Sequence, residues 1–264
     1  MRFPVVRGLI ARRILVNYRV DPSVLASTLP RPFRPKLHRG HGMAGICLID
    51  LREIRPRFVP RWFGIASKNA AHRVAVEWDE GPIVREGVYI RRRDTSSRLN
   101  AFAGGRVFPG IHSHASFSVM ETPEHVEVAV LSDDGVTRVS VVADLADGLP
   151  STSSFGSIGE ASSFFEAGAL GYSATPDPTR FQGLELRCAN WRVESLAVSS
   201  VSSSYFDDPA AFPAGSVQFD CALLMRGIQH EWLGHADLCE ETLSSPFGNR
   251  GPLSAGSAGT PRAT

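Results

Sequence analysis

A mainly β fold, with an antiparallel sheet that closes or strongly curls on itself, is predicted for this 264-residue chain by three observations. Many short runs alternate apolar with polar residues, helical patterns are few, and turn residues fall between the runs. The strand-like runs are Gly42–Leu51, Ala71–Trp78, Gly87–Arg92, Ala115–Met120, Val126–Leu131, Thr137–Ala143, Leu184–Val193, Leu196–Val201 and Phe219–Leu224. Period two is clearest in Glu124-His125-Val126-Glu127-Val128-Ala129-Val130, the pattern of a strand with one buried face. Asp133-Asp134-Gly135 supplies a hairpin signal between two such runs.

Two helices are predicted. In Asp21-Pro22-Ser23-Val24-Leu25, Asp21 is an N-cap and Pro22 takes the first helical position, while Pro30, Pro32 and Pro35 prevent continuation. Ser157 and Glu160 have capping-box spacing ahead of Phe164 and Phe165, which predicts a helix over Ser157–Gly168. Residues 1–243 are read as a single β domain and 244–264, rich in Gly, Ser and Pro, as a disordered tail.

Composition narrows the function. The chain is 43% hydrophobic and 21% charged with a net charge of +1, which gives no electrostatic case for nucleic acid or an anionic membrane as partner. No apolar run is long enough to span a bilayer, and the Arg-interrupted start lacks a signal-peptide core, so a cytoplasmic location is expected. Cys47, Cys188, Cys221 and Cys239 form no CxxC pair and read as reduced thiols. Of the 28 basic residues, only Lys36 and Lys68 are lysine, which restricts any lysine-based chemistry.

Three stretches carry candidate chemistry. His230-Glu231-Trp232-Leu233-Gly234-His235 resembles the zinc-protease motif but spaces its histidines by five, which separates them around a helix; a strand end and turn with exposed polar groups is the expected reading. His112 and His114 sit two apart in a strand-like run and so share a face. As metal ligands they need a third, for which His72 and Glu86 are the candidates; as a pocket-lining pair they need none, and plain strand decoration also fits. No metal or other cofactor is expected. In Glu86-Gly87-Val88-Tyr89-Ile90-Arg91-Arg92-Arg93, alternation groups Glu86, Val88, Ile90 and Arg92 against Gly87, Tyr89, Arg91 and Arg93. A charge on an inward face there must be paired or bound to a polar ligand.

The stretch Val16-Asn17-Tyr18-Arg19-Val20-Asp21-Pro22-Ser23-Val24-Leu25 through Leu29-Pro30 resembles the opening of the DUF2071 (YqjF-like) family. Gly42–Leu51 with Ile54-Arg55-Pro56-Arg57, Arg106–Ala115, Ser163-Phe164-Phe165, Gly171-Tyr172-Ser173, Leu184–Arg187 with Trp191, and Gly215–Arg226 follow in the family's order. The resemblance implies the acetoacetate decarboxylase-like superfamily: an antiparallel β-barrel or cone whose interior forms a small-molecule cavity. In the decarboxylase a buried lysine forms a Schiff base with the keto acid, and a neighbouring lysine lowers its pKa. Anchored on Ala115, that pair falls on His112 and Ser113; anchored on Pro109, it falls on Gly110 and Ile111. Neither register supplies a lysine, so decarboxylase chemistry is not expected. The decarboxylase's N-terminal-strand arginine is loosely matched by Arg12 or Arg13, and the glutamate near its lysine pair by Glu86.

The expectation is a small-molecule-binding protein or enzyme with a polar cavity. His112 and His114 would act there as general base or hydrogen-bond donors, and Arg106, Glu86 and Arg13 would hold a carboxylate-bearing or other polar molecule. The alternative is a non-catalytic structural or interaction protein that retains the fold. Exposed strand edges are compatible with a homo-oligomer.

Overall fold

The computed structural model describes residues 4–103 and 109–239. Its strands are β1 (Val6–Val20), β2 (Arg34–Pro35), β3 (Leu37–His38), β4 (His41–Pro56), β5 (Ile65–Glu80), β6 (Ile83–Thr95) and β7 (His112–Glu121). They continue with β8 (His125–Ser132), β9 (Arg138–Ala146), β10 (Leu170–Ala174), β11 (Arg180–Cys188), β12 (Glu194–Ser203), β13 (Val217–Gly234) and β14 (Leu238–Cys239). The helices are α1 (Pro22–Ser27), α2 (Arg98–Ala103) and α3 (Ile158–Ala167). Among the described residues no helix is long and apolar enough to cross a membrane.

All fourteen strands belong to one mixed sheet, and its pairings close on themselves twice. One circuit runs β6-β7-β8-β9-β12-β13-β1-β4-β5 and returns to β6. A second leaves β6 through β10 and β11 and rejoins at β13, so that β13, β1, β4, β5 and β6 belong to both. The sheet is antiparallel except where β6 meets β7 and β10. A parallel neighbour needs a long crossover connection, and the segment carrying α2 provides it between β6 and β7.

Alternation along the shared strands divides the interior. On β1, Ile14, Val16 and Tyr18 face an apolar core to which every strand of the first circuit contributes, Val126, Val128, Val141, Leu196 and Leu224 among them. Arg13 and Leu15 face the other way, where smaller clusters include Phe155, Phe165 and Leu223 under α3. The first circuit is therefore filled with side chains. The second keeps an opening.

The local signals act as expected at both helices. The Asp21 carboxylate accepts the Ser23 and Val24 amides, and the Ser157 hydroxyl accepts the Glu160 amide at 3.1 Å. Asp133, Asp134 and Gly135 (φ +70°) turn the β8–β9 hairpin. Leu184–Val193 differs: β11 ends at Cys188, and Ala189 donates one further bond in register with β13, to the Gln229 carbonyl. Helix α2 and strand β10 were not predicted; both are short segments held by tertiary pairing. Arg106 and the 244–264 tail lie outside the described residues.

Candidate functional site: an arginine-lined cavity

A cavity of about 140 Å³ opens inside the second circuit, and every one of that circuit's seven strands contributes to its wall. Strand β5 shows how the sequence builds it. Ser67, Asn69, Ala71 and Arg73 recur at period two and all reach the cavity. Cys47, Ile49 and Leu51 do the same on β4. The apolar wall is completed by Ile54, Leu184, Leu186, Phe165, Trp191 and Trp232.

Strict alternation misplaces one important side chain. Val88 and Ile90 line the cavity, so Arg93, three residues on, should face away. Instead the β5–β6 ladder pairs His72 with Arg92 but Arg73 with Ile90, leaving Arg91 as an extra residue. This bulge turns Arg93 onto the same face as Val88 and Ile90, while Arg91 stands over the Tyr205 ring at 5.6 Å.

Three guanidiniums, those of Arg13, Arg73 and Arg93, thus meet at the cavity, and among the described residues lining it there is no aspartate or glutamate. Each is held by neutral groups. Arg93 donates through Nε and Nη2 to Ser173 Oγ at 3.1 and 2.9 Å. Arg13 donates through Nε to Cys47 Sγ at 3.3 Å and stands over the Trp191 ring at 5.5 Å. Arg73, only 5% exposed, donates through Nη2 to Asn17 Oδ1 and lies over the Phe165 ring at 4.9 Å, while its Nε has no partner. Burial pushes Arg73 and Arg93 down to about 10, which leaves both charged at neutral pH. Arg12, buried one residue before Arg13, has the contrasting arrangement: its Nη1 meets Glu121 Oε2 at 2.6 Å.

A neutral polar corner completes the lining. Asn69 Nδ2 donates to Ser67 Oγ at 3.0 Å and Asn100 Nδ2 to the same oxygen at 3.4 Å, while the buried Asn100 Oδ1 has no partner.

His112 lines the cavity at the start of β7, paired in register with Arg93. Its Nδ1 lies 3.0 Å from the Gly110 carbonyl, which can only accept, so Nδ1 carries the proton and Nε2 keeps its lone pair. Gly110 has φ +82°, and its amide donates to Gln182 Oε1 at 2.9 Å, which fixes the chain where His112 enters the sheet. Burial first, then the Arg93 charge, pushes His112 down to about 4, against a lesser opposing effect of the Gly110 bond.

His72 and His230 are likewise pushed down to about 4, mainly by burial. All three histidines are neutral in the fold at pH 6.5, whereas the unfolded chain protonates near that value. Between pH 6.5 and 4 the unfolded state binds more protons, so stability falls as pH falls through that window. NMR titration of the native protein should show the His112 ring resonances unmoved from pH 8 to 5.

The other expected site residues lie elsewhere. His114 does not line the cavity; its Nδ1 meets Asp133 Oδ2 at 2.8 Å at the β8–β9 turn. Glu86 is paired with Lys36 Nζ at 2.5 Å, and Lys36 also covers the Phe164 ring. Neither Lys36 nor Lys68 lines the cavity. His230 departs from the exposed strand end expected of it: it is 3% exposed within β13, edge-on to Trp232, with both ring nitrogens unpartnered. Among the described residues no group of three His, Cys, Asp or Glu side chains is placed to hold a metal.

Arg13, His112 and the cavity were anticipated; Arg73, Arg93, Cys47 and Asn100 were not. For Arg73 a signal existed, an arginine set inside the apolar run Ala71–Trp78. Arg93 was hidden by the bulge.

The sheet closes on itself around a cavity, and solved structures share its fold. An acetoacetate decarboxylase from Legionella pneumophila is similar with a TM-score of 0.54 and 10% identity, over 88% of this chain and 87% of that one. The enduracididine biosynthesis enzyme MppR, solved in complex with pyruvate, is similar with a TM-score of 0.55 and 12% identity, over 91% of each chain. These likenesses show an acetoacetate decarboxylase-like fold. The family model DUF2071, described as an uncharacterized conserved protein, matches residues 10–220, and the chain belongs to that family. No curated protein matches it.

Proposed function

We propose that the protein binds a small anionic molecule, of the carboxylate class, in the arginine-lined cavity, and that it does so without a Schiff-base lysine. The observation that carries this reading is the set of three guanidiniums facing one cavity with no carboxylate among its described lining residues. A buried cation without a counter-ion is costly to maintain, and an anionic ligand supplies the missing charge. Guanidinium also suits the planar, two-oxygen geometry of a carboxylate. The indoles and aliphatic side chains of the lining would take an apolar body, and His112 Nε2 would accept a hydrogen bond or proton from the ligand. That MppR, a protein of this fold, is solved in complex with pyruvate makes a 2-oxo acid the first ligand to try. Schiff-base decarboxylation is not part of the proposal, since neither of the chain's two lysines lines the cavity. A cytoplasmic location is proposed with it, in keeping with the reduced, buried Cys47 and Cys221.

Thermal unfolding in pyruvate or lactate, against sodium chloride of equal ionic strength, tests the reading. A ligand at a hundred times its Kd adds about 2.7 kcal/mol to native-state stability. Stabilisation by both carboxylates beyond that of chloride is expected. No difference from chloride would instead support the alternative, a fold kept for a structural or interaction role.

A further inference from the structure

We propose that Cys47 is the cavity's nucleophile, its sulfur capturing small anionic electrophiles that the arginines draw in. The inference rests on the anionic-ligand reading and adds to it a covalent site. Cys47 stands on β4 with Ile49 and Leu51, and its side chain faces the cavity. Its sulfur accepts the Arg13 Nε–H at 3.3 Å, and Arg73 and Arg93 line the same cavity. Arg73 is an independent sign of a ligand beside that sulfur, being almost fully buried at the cavity wall with Nε unpartnered. An electropositive, ligand-accessible pocket is the setting in which cysteine sulfur reacts.

Two other thiols show the contrast. Cys221 is fully buried against Asn17 and does not line this cavity, and burial pushes its thiol up to about 12. Burial also raises the Cys188 thiol, which lies outside the cavity wall. Cys47 alone of these three combines a cavity face with an arginine hydrogen bond.

The ligand class that fits is a 2-oxo or aldehydo acid. With its carboxylate on the guanidiniums, the neighbouring carbonyl carbon is offered to the sulfur. The S–C bond forms as the carbonyl π pair moves to oxygen, and the thiol proton ends on that oxygen. The product is a hemithioacetal or hemithioketal; nothing is oxidised and no group leaves. Release is the reverse step.

The test compares alkylation of the native full-length chain by iodoacetate and by neutral iodoacetamide, in which sulfur displaces iodide, with peptide mass spectrometry reading Cys47. Free glutathione supplies the intrinsic ratio of the two reagents. The iodoacetate-to-iodoacetamide rate ratio at Cys47 is expected to exceed that of glutathione by about tenfold or more, the range by which a cleft of one charge enriches its counter-ion. Glyoxylate should protect Cys47, and Arg13→Met should lower the ratio toward that of glutathione. A glutathione-like ratio in the native protein, or Cys47 unlabelled until the chain is denatured, overturns the proposal. Lactate, which carries no electrophilic carbon, separates the two readings. If it still stabilises Cys47→Ser while the labelling ratio is flat, the covalent site fails and the anion cavity stands; if it stabilises neither protein, the cavity reading fails as well.

Discussion

Arg73→Met is expected to weaken carboxylate binding by roughly 30- to 150-fold while changing folding stability little. The binding loss follows from removing a buried charge that meets its counter-ion only when ligand is present, for which about 2–3 kcal/mol is typical. The stability side has two opposing parts. In the native state burial pushes the guanidinium well below its ordinary value, to about 10, a cost of about 3 kcal/mol that the methionine does not carry. Against this, Asn17 Oδ1 loses its donor in a fully buried position, which costs about 1–3 kcal/mol. The two nearly cancel. Arg12→Met is the control: it breaks a short ion pair to Glu121 in a site walled from solvent on the arginine side, and it should lower stability with no selective effect on the ligand. Calorimetric titration and urea unfolding of both variants check the pair of outcomes. A large stability loss in Arg73→Met with unchanged binding would show that Arg73 is a framework residue.

Gly45→Val should give the largest loss of stability. β1 and β4 lie unusually close where Asn17 pairs with Gly45, and a Cβ on Gly45 would sit 2.2 Å from the Val16 carbonyl oxygen and 3.3 Å from Asn17 Oδ1. The obstacle is backbone on a strand buried on both faces, so it cannot swing aside; the two strands must part. Overpacking of this kind costs about 3 kcal/mol or more, which for a domain of this size lowers Tm by roughly 6–12 °C. The displaced Asn17 carries the Arg73 guanidinium, so ligand-dependent stabilisation should fall as well. At Gly148 an added methyl meets nothing within 4 Å, and Gly148→Ala should leave Tm within a degree or two. Scanning calorimetry of the two variants measures both effects.

The parts of this molecule that were legible in its sequence are those governed by neighbours in the chain. Asp21-Pro22 and Ser157/Glu160 set helix starts through local hydrogen bonds, and period two marked most strands because one face of each is buried. The ordered similarity of motifs to DUF2071 carried the fold further than periodicity alone. What escaped was set at long range. Strand β10 is five residues that exist by pairing with β6 and β11, and their own pattern does not distinguish them from a loop. The bulge at Arg91 reverses which β6 residues face inward beyond it, so alternation assigned Arg93 to the wrong face. His112 and His114 were singled out together by their spacing, and the family register then pointed to His112; tertiary structure separates them, one to the cavity and one to Asp133.

The central claim is that negative charge, more than shape, is what the cavity recognises. Isothermal titration with pyruvate and with pyruvamide, its neutral analogue of nearly the same shape, tests it most directly. The arginine cluster predicts that pyruvate binds at one site per chain, at least about tenfold tighter than pyruvamide, and progressively more weakly as salt is raised. Equal affinity for the two, or binding of neither at millimolar concentration, would contradict it.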